Sequence, residues 1–213
     1  GKTALLRAVS PTGVRAIDVT AAESEIALPW AGLATLLEPL LGYETALTAS
    51  ARGALRGALA LEHPAAADSA RVLHAAVALL AAAAAREPLL LRVDDVQWLD
   101  PSSRQAIAIV ARRAADIGIA VIAVWSERGE PFEPWTGVPV LTVGELGRAD
   151  ALALARRAGV APQVAEALVA AVGGNPLALI EAPAQLSPDE RSGRRPLPAV
   201  TLPFTWNAGF SLP

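Results

Sequence analysis

The stretch Leu89-Leu90-Leu91-Arg92-Val93-Asp94-Asp95-Val96-Gln97-Trp98-Leu99-Asp100 constrains this chain more than any other. It reads as an apolar strand that stops abruptly at two adjacent carboxylates. A buried strand gains nothing from charge at its tip, because an unpaired carboxylate taken out of water is strongly destabilising. A bound cation reverses that balance, so the pattern predicts a sheet whose strand end serves an ion.

Gly1-Lys2-Thr3 opens the chain, and a helical run, Ala4-Leu5-Leu6-Arg7-Ala8-Val9, follows. These three residues match the last positions of a Gly-x-x-x-x-Gly-Lys-[Ser/Thr] phosphate loop. In an intact loop the backbone N–H groups cradle phosphates, the lysine reaches the β- and γ-phosphates, and the hydroxyl binds Mg²⁺. Lys2 is the only lysine among 18 lysines and arginines. A compact ammonium on a flexible stem suits that task. The acidic strand tip, about ninety residues later, is the other half of such a site. The upstream loop positions and the strand that would feed them are not in the sequence, and it holds no methionine. The chain is therefore expected to be a piece of a longer protein, cut inside its nucleotide site.

A length of 213 residues suits one large domain or a domain plus part of a second. The composition is 53% hydrophobic but only 4% aromatic, which favours alanine, leucine and valine packed as helices around a sheet. A net charge of −3 leaves no electrostatic footprint for nucleic acid. The absence of cysteine excludes disulfides and thiolate metal sites and suits a reducing cytoplasm. The most apolar run, residues 75–85 between His74 and Arg86, falls well short of the roughly twenty residues of a membrane span. It reads as a buried, alanine-rich helix end.

Periodicity organises the rest. Residues 3–9 open the first helix, and 14–19, after a Pro-Thr-Gly turn, form a short strand. Residues 31–41 have apolar positions at helical spacing, and two more helices occupy 49–61 and 66–86, broken at His63-Pro64. Strand 89–93 follows. Asp100-Pro101-Ser102-Ser103 is a helix start, with Asp100 as N-cap and Pro101 where no N–H is needed. That helix runs to about residue 115. Residues 119–125 are continuously apolar, the pattern of a strand buried on both faces. A loop rich in Pro, Trp and Gly leads to a further strand at 139–143. Strands alternating with helices imply a mostly parallel sheet with ligands at its carboxyl ends, where Asp94, Asp95 and Arg128 all lie. Three short helices, 148–158, 162–172 and 176–186, then form a small helical module, and residues from 194 onward are Pro-rich and without periodicity.

Together these residues resemble the ATPase core of the large ATP-binding LuxR-type transcriptional regulators, signal-transduction ATPases with numerous domains related to the AAA+ class. The likeness rests on Gly1-Lys2-Thr3-Ala4-Leu5-Leu6-Arg7, Glu23-Ser24-Glu25, Leu28-Pro29-Trp30-Ala31-Gly32-Leu33, Val93 to Asp100, Ala111-Arg112-Arg113 and Gly174-Asn175-Pro176-Leu177-Ala178-Leu179. It covers roughly residues 1–200.

The resemblance implies an α/β fold: a P-loop NTPase-type parallel sheet flanked by helices, lacking its first strand, followed by a small helical lid. The expected divisions are a nucleotide-binding core at 1–144, the lid at 145–193 and an irregular Pro-rich tail at 194–213. Gly1, Lys2 and Thr3 would bind the nucleotide, Lys2 at the β- and γ-phosphates and Thr3 as a Mg²⁺ ligand. Asp94 would hold Mg²⁺ through its water shell, and Asp95 would polarise the attacking water. Arg128 would sense the γ-phosphate, and Pro176 would approach the nucleotide from the lid. The implied cofactors are ATP and Mg²⁺, the residues present leaving ATP or GTP open. The implied partners are ATP/ADP and further copies of the protein. DNA would be reached only through a helix-turn-helix that this chain does not contain. The implied setting is cytoplasmic, without a membrane.

Three features depart from the family pattern: Arg92 stands inside a strand, Ser126-Glu127-Arg128-Gly129 differs in spacing, and 201–213 match poorly. A rival reading keeps the fold but makes it a non-catalytic interaction or scaffold module with a vestigial nucleotide site. A third expects sheet edges left open by the missing strand to promote aggregation. His63 and His74 lack partners at metal or triad spacing. Arg191, Arg194 and Arg195 read as a solvated linker, Arg112 and Arg113 as surface charges or as positions a neighbouring subunit uses, and Trp98 equally as packing beside the strand tip or as functional through its place in the family pattern.

Overall fold

The computed structural model describes residues 1–59, 68–126 and 135–197. The chain divides into two compact units, Lys2–Val140 and Leu141–Pro213, with Gly1 assigned to the second. In the first unit, α1 (Lys2–Ala8) leads to β1 (Arg15–Thr20) and a short 3-10 helix, Glu23–Glu25. Next come α2 (Ala31–Leu37), a 3-10 helix over Glu38–Ala46, α3 (Ala49–Ala58) and α4 (Ser69–Ala84). Then follow β2 (Leu89–Asp94), a 3-10 turn at Val96–Trp98, α5 (Pro101–Arg113) and β3 (Ile119–Ala123).

The strands form a parallel sheet in the order β1-β2-β3, so the α/β expectation holds. Ile17 pairs with Leu91 and Val19 with Val93, while Leu89, Leu91 and Val93 pair with Ile119, Val121 and Ala123. Because side chains alternate along a strand, these positions share one face. They join the main core with Leu33, Leu36, Leu37 and Leu40, Leu55, Leu79 and Leu80, and Ile107. Each fully buried leucine contributes about 1.5–3 kcal/mol relative to exposure. The opposite face carries Asp18 and Arg92, which are register partners, and α1 packs against β2.

Helix starts follow their caps. Thr48 accepts the Ala51 N–H, Asp68 the Ala70 N–H and Asp100 the Ser103 N–H. The helix expected over 31–41 ends at Leu37 and continues as a 3-10 helix. Pro39 is responsible, since its ring clashes with the preceding turn and it has no N–H to donate.

Two strand expectations change. The apolar run 119–125 predicts burial on both faces, yet only Ile119 is buried, Ala120 is exposed and 121–125 are half-buried. Among the described residues β3 pairs on one side only, so the half-open edge accounts for the exposure. The strand expected at 139–143 does not form, and Leu141 is 86% exposed. Pro139 lacks a ladder donor, and no described strand lies beside the segment to complete its backbone bonds. An apolar run without a neighbour is not a strand.

The second unit packs α6 (Arg148–Arg157), α7 (Pro162–Val172) and α8 (Pro176–Ala184) around Ala151, Ala155, Ala165, Leu168, Ala178 and Leu179. A further turn of helix, α9 (Pro188–Arg191), begins at a capping box. The Ser187 hydroxyl accepts the Glu190 N–H, and the Glu190 carboxylate accepts the Ser187 N–H. The Ser187 hydroxyl also donates to the Glu190 carboxylate at 2.7 Å, and this bond, with that from the Ser187 N–H, holds the Glu190 carboxyl below its ordinary range. The Ser-Pro-Asp-Glu pattern announces this start, and sequence reading passed over it. The His63-Pro64 break, Arg128 and the tail beyond 197 lie outside the described residues. No helix among the described residues is long and apolar enough to cross a membrane.

Candidate functional site

The tip of β2 is held from both sides. The Ala21 N–H donates to the Asp94 carbonyl at 3.1 Å. On the other flank, the Val124 N–H donates to the Val93 carbonyl at 2.8 Å, and the Val96 N–H to the Val124 carbonyl at 3.0 Å. Asp94 is thereby fixed at the carboxyl end of the central strand, only 5% exposed. Its Oδ1 accepts the Asp95 N–H at 3.1 Å, and no bond from the described residues reaches its Oδ2.

Asp95 adopts left-handed backbone angles, φ 55° and ψ 45°. Asp tolerates this region better than most residues, though such a conformation still costs about 1–3 kcal/mol. The reversal turns the chain out of the strand and places Gln97 beneath Asp95. Gln97, 2% exposed, donates from Nε2 to Asp95 Oδ1 at 3.0 Å and accepts the Ser126 N–H at Oε1, 3.1 Å away. Arg104 of α5 braces the same turn, donating to the Gln97 and Leu99 carbonyls at 3.0 Å each.

Asp100 is a structural cap that serves two helices. Its Oδ1 accepts from the N–H groups of Ser103 and Trp30, both at 2.9 Å, and its Oδ2 from Gly32 at 3.3 Å. The Ser103 hydroxyl accepts the Leu33 N–H at 2.8 Å. The orphan donors at the start of α2 are thus satisfied by the start of α5. A Cβ at Gly32 would overlap Leu99 Cδ2 and crowd Ser103 Cβ, so a side chain there would force Leu99 to shift.

Arg92, the residue out of place in an apolar strand, also has a structural account. It grips Asp18 with two donors, Nε to Oδ1 at 2.6 Å and Nη2 to Oδ2 at 2.7 Å. Its Nη1 donates to the Arg7 and Val9 carbonyls, at 3.3 and 3.1 Å, at the end of α1. Hydrogen bonding to Asp18 raises the guanidinium above its ordinary range.

Of the residues singled out from sequence, Lys2, Thr3, Asp94 and Asp95 belong to one compact unit, with α1 packed on the strand that ends in the two acids. Lys2 is exposed and Thr3 half-buried. Gly1 and Pro176 fall in the other unit, and Arg128 lies outside the described residues. Pro176 occupies the first turn of α8, after Asn175, whose side chain accepts the Leu177 and Ala178 N–H groups. A Cβ at Gly174 would overlap the Leu146 backbone, so the Gly-Asn-Pro turn has a local folding explanation. Gln97, Arg104 and Ser126 were given no role from sequence, although Gln97 lies within the matching Val93 to Asp100 segment as a polar residue inside the otherwise apolar Val-Gln-Trp turn.

The donor set bears on a metal. No group of three or more His, Cys, Asp or Glu among the described residues could hold one. A cation at Asp94 would draw on a single buried carboxylate, water and a ligand's oxygens. That arrangement fits Mg²⁺ carried by a nucleotide, since Mg²⁺ keeps several waters and uses few protein ligands.

A family model for the AAA ATPase domain matches residues 1–123. No curated protein and no solved structure matches the chain. The match takes in α1, the whole sheet and the Asp94-Asp95 tip, and it accords with a P-loop NTPase-like α/β fold and with nucleotide, usually with Mg²⁺, as the ligand class. Spanning more than half of the 213 residues, it shows that this chain belongs to the AAA ATPase domain family.

Proposed function

We propose that the chain is the core of a nucleotide switch from a LuxR-type ATP-binding transcriptional regulator. The observation that carries this reading is the buried Asp94 at the end of the central strand, with one carboxylate oxygen lacking a partner among the described residues. The family match and the Gly1-Lys2-Thr3 start of the chain support it.

In this reading Lys2 pairs with the β- and γ-phosphates, and Gly1 contributes backbone to the phosphate loop. Thr3 and Asp94 are the residues that would hold Mg²⁺, which when bound offsets phosphate charge. Asp95 orients and polarises the attacking water, Arg128 contacts the γ-phosphate, and Pro176 reports the nucleotide from the helical lid. The domain plan is a core at 1–144, a lid at 145–193 and a tail at 194–213. Hydrolysis is slow, as a switch requires a long-lived bound state. Self-association, a cytoplasmic setting and DNA binding through a separate helix-turn-helix complete the proposal.

The test is titration with a fluorescent ATP analogue and Mg²⁺, alongside Lys2→Ala and Asp94→Asn, with GTP as competitor. Saturable binding, lost in both variants, is expected. A folded chain that binds nothing would leave the scaffold reading in its place. Rapid multiple turnover would overturn the switch reading.

A further inference from the structure

Gln97 is a buried side chain with two different partners from two different segments. Its Nε2 donates to Asp95 Oδ1 at 3.0 Å, and its Oε1 accepts the Ser126 N–H, just past the end of β3, at 3.1 Å. A carboxylate can only accept and a backbone N–H can only donate, so the pair sets the amide orientation without ambiguity. Glutamate, of the same shape, could serve Ser126 but not Asp95.

The backbone beneath is braced. Arg104 binds the Gln97 and Leu99 carbonyls, and Val96 is tied to Val124. With its main chain anchored, the Gln97 side chain links its two ends directly. It also opposes relaxation of Asp95 from a left-handed conformation that costs free energy to hold.

We propose that Gln97 is a positioning residue that couples Asp95 to the chain leaving β3. Displacement of the backbone at Ser126 is passed through one amide to the second carboxylate of the Asp-Asp pair. A change at the carboxyl end of β3 thereby switches the acid between a held and a released orientation. This rests on the reading of Asp95 as the group that orients water, so the experiment separates the two ideas.

The first arm uses nucleotide-free protein, measuring amide exchange at Asp95, Val96 and Ser126 and the Asp95 carboxyl ¹³C signal by NMR. Gln97→Leu should speed exchange at all three amides at least tenfold. Gln97→Glu should keep Ser126 protected, yet shift the Asp95 carboxyl signal and speed exchange at Asp95 and Val96. That split is not produced by general loosening of the fold. Unchanged Asp95 signals in Gln97→Glu would overturn the coupling, as would unchanged Ser126 exchange in Gln97→Leu.

The second arm is single-turnover hydrolysis of Mg-ATP. Gln97→Glu should slow it by about 10–100-fold, the range seen when a supporting hydrogen bond is removed, with analogue affinity unchanged. An equal loss of affinity would overturn the positioning role. Absence of hydrolysis in the unaltered chain would count against the ATPase reading alone, and the first arm would still decide the coupling.

Discussion

The two faces of the sheet are built by the same strands in opposite ways. One face sets Ile17, Val19, Leu89, Leu91 and Val93 into a core shared with α2 to α5. The other sets Asp18 against Arg92 and uses the free guanidinium arm to hold the end of α1. Apolar burial is strong but non-directional, whereas a guanidinium fork is directional and, near solvent, worth little in stability. The core face therefore holds the fold together, and the charged face orients the one helix that begins with Lys2 and Thr3.

The largest break should come from Leu91→Ala. Removing a side chain with no solvent exposure leaves a cavity and costs about 2–5 kcal/mol, read as a lower denaturant midpoint. Restoring most of the wild-type midpoint would mean that the core face collapses around the gap. Asp100→Ala comes next, since it strips three N–H groups at two helix starts of their acceptor. Loss of a cap costs about 0.5–2 kcal/mol, and buried donors left unpaired add to it. Chemical denaturation of Asp100→Asn, which keeps an acceptor, should recover part of the loss.

Gly32→Ala should destabilise by about 1–3 kcal/mol through overpacking against Leu99. The companion Gly53→Ala, where an added Cβ meets nothing within 4 Å, should not destabilise. Equal destabilisation by both would remove steric contact as the cause. Arg92→Leu should have a smaller effect on melting than any of these, yet speed amide exchange in α1, and salt should lessen the difference from wild type. A melting loss as large as that of Leu91→Ala would erase the distinction between the faces.

The smallest effect concerns pH. Hydrogen bonding from Arg56 holds the Glu44 carboxyl below its ordinary range. Its folded value lies under its unfolded one, so its stabilising effect is present above the unfolded pKa and fades as pH falls through the folded one. Acid titration of Glu44→Gln should show a slightly flatter decline than wild type in that window.

Local chemistry made much of this molecule legible. The apolar runs announced β1, β2 and β3, the Asp100 cap announced α5, and the abrupt Asp94-Asp95 ending marked the candidate site. Arg92 was visible only as an anomaly, because its meaning depends on register with Asp18 across 74 residues. Gln97 was hidden for the same reason: its value lies in Ser126, which reaches it only once β3 is laid beside β2.

The apolar run at 139–143 shows the opposite failure. It has the residues of a strand, but a strand also needs a neighbour, and none of the described strands lies beside it. The sequence by itself determined most of the helical and extended segments and which carboxylates stand at a strand end, because these follow from periodicity, capping and charge within a few residues. Only the tertiary structure decided that Asp100 joins two helices, that Arg92 tethers α1, and that Gln97 spans Asp95 and β3. Hydrogen bonds between distant segments exist only after sheet register and helix packing have brought donor and acceptor to within about 3 Å.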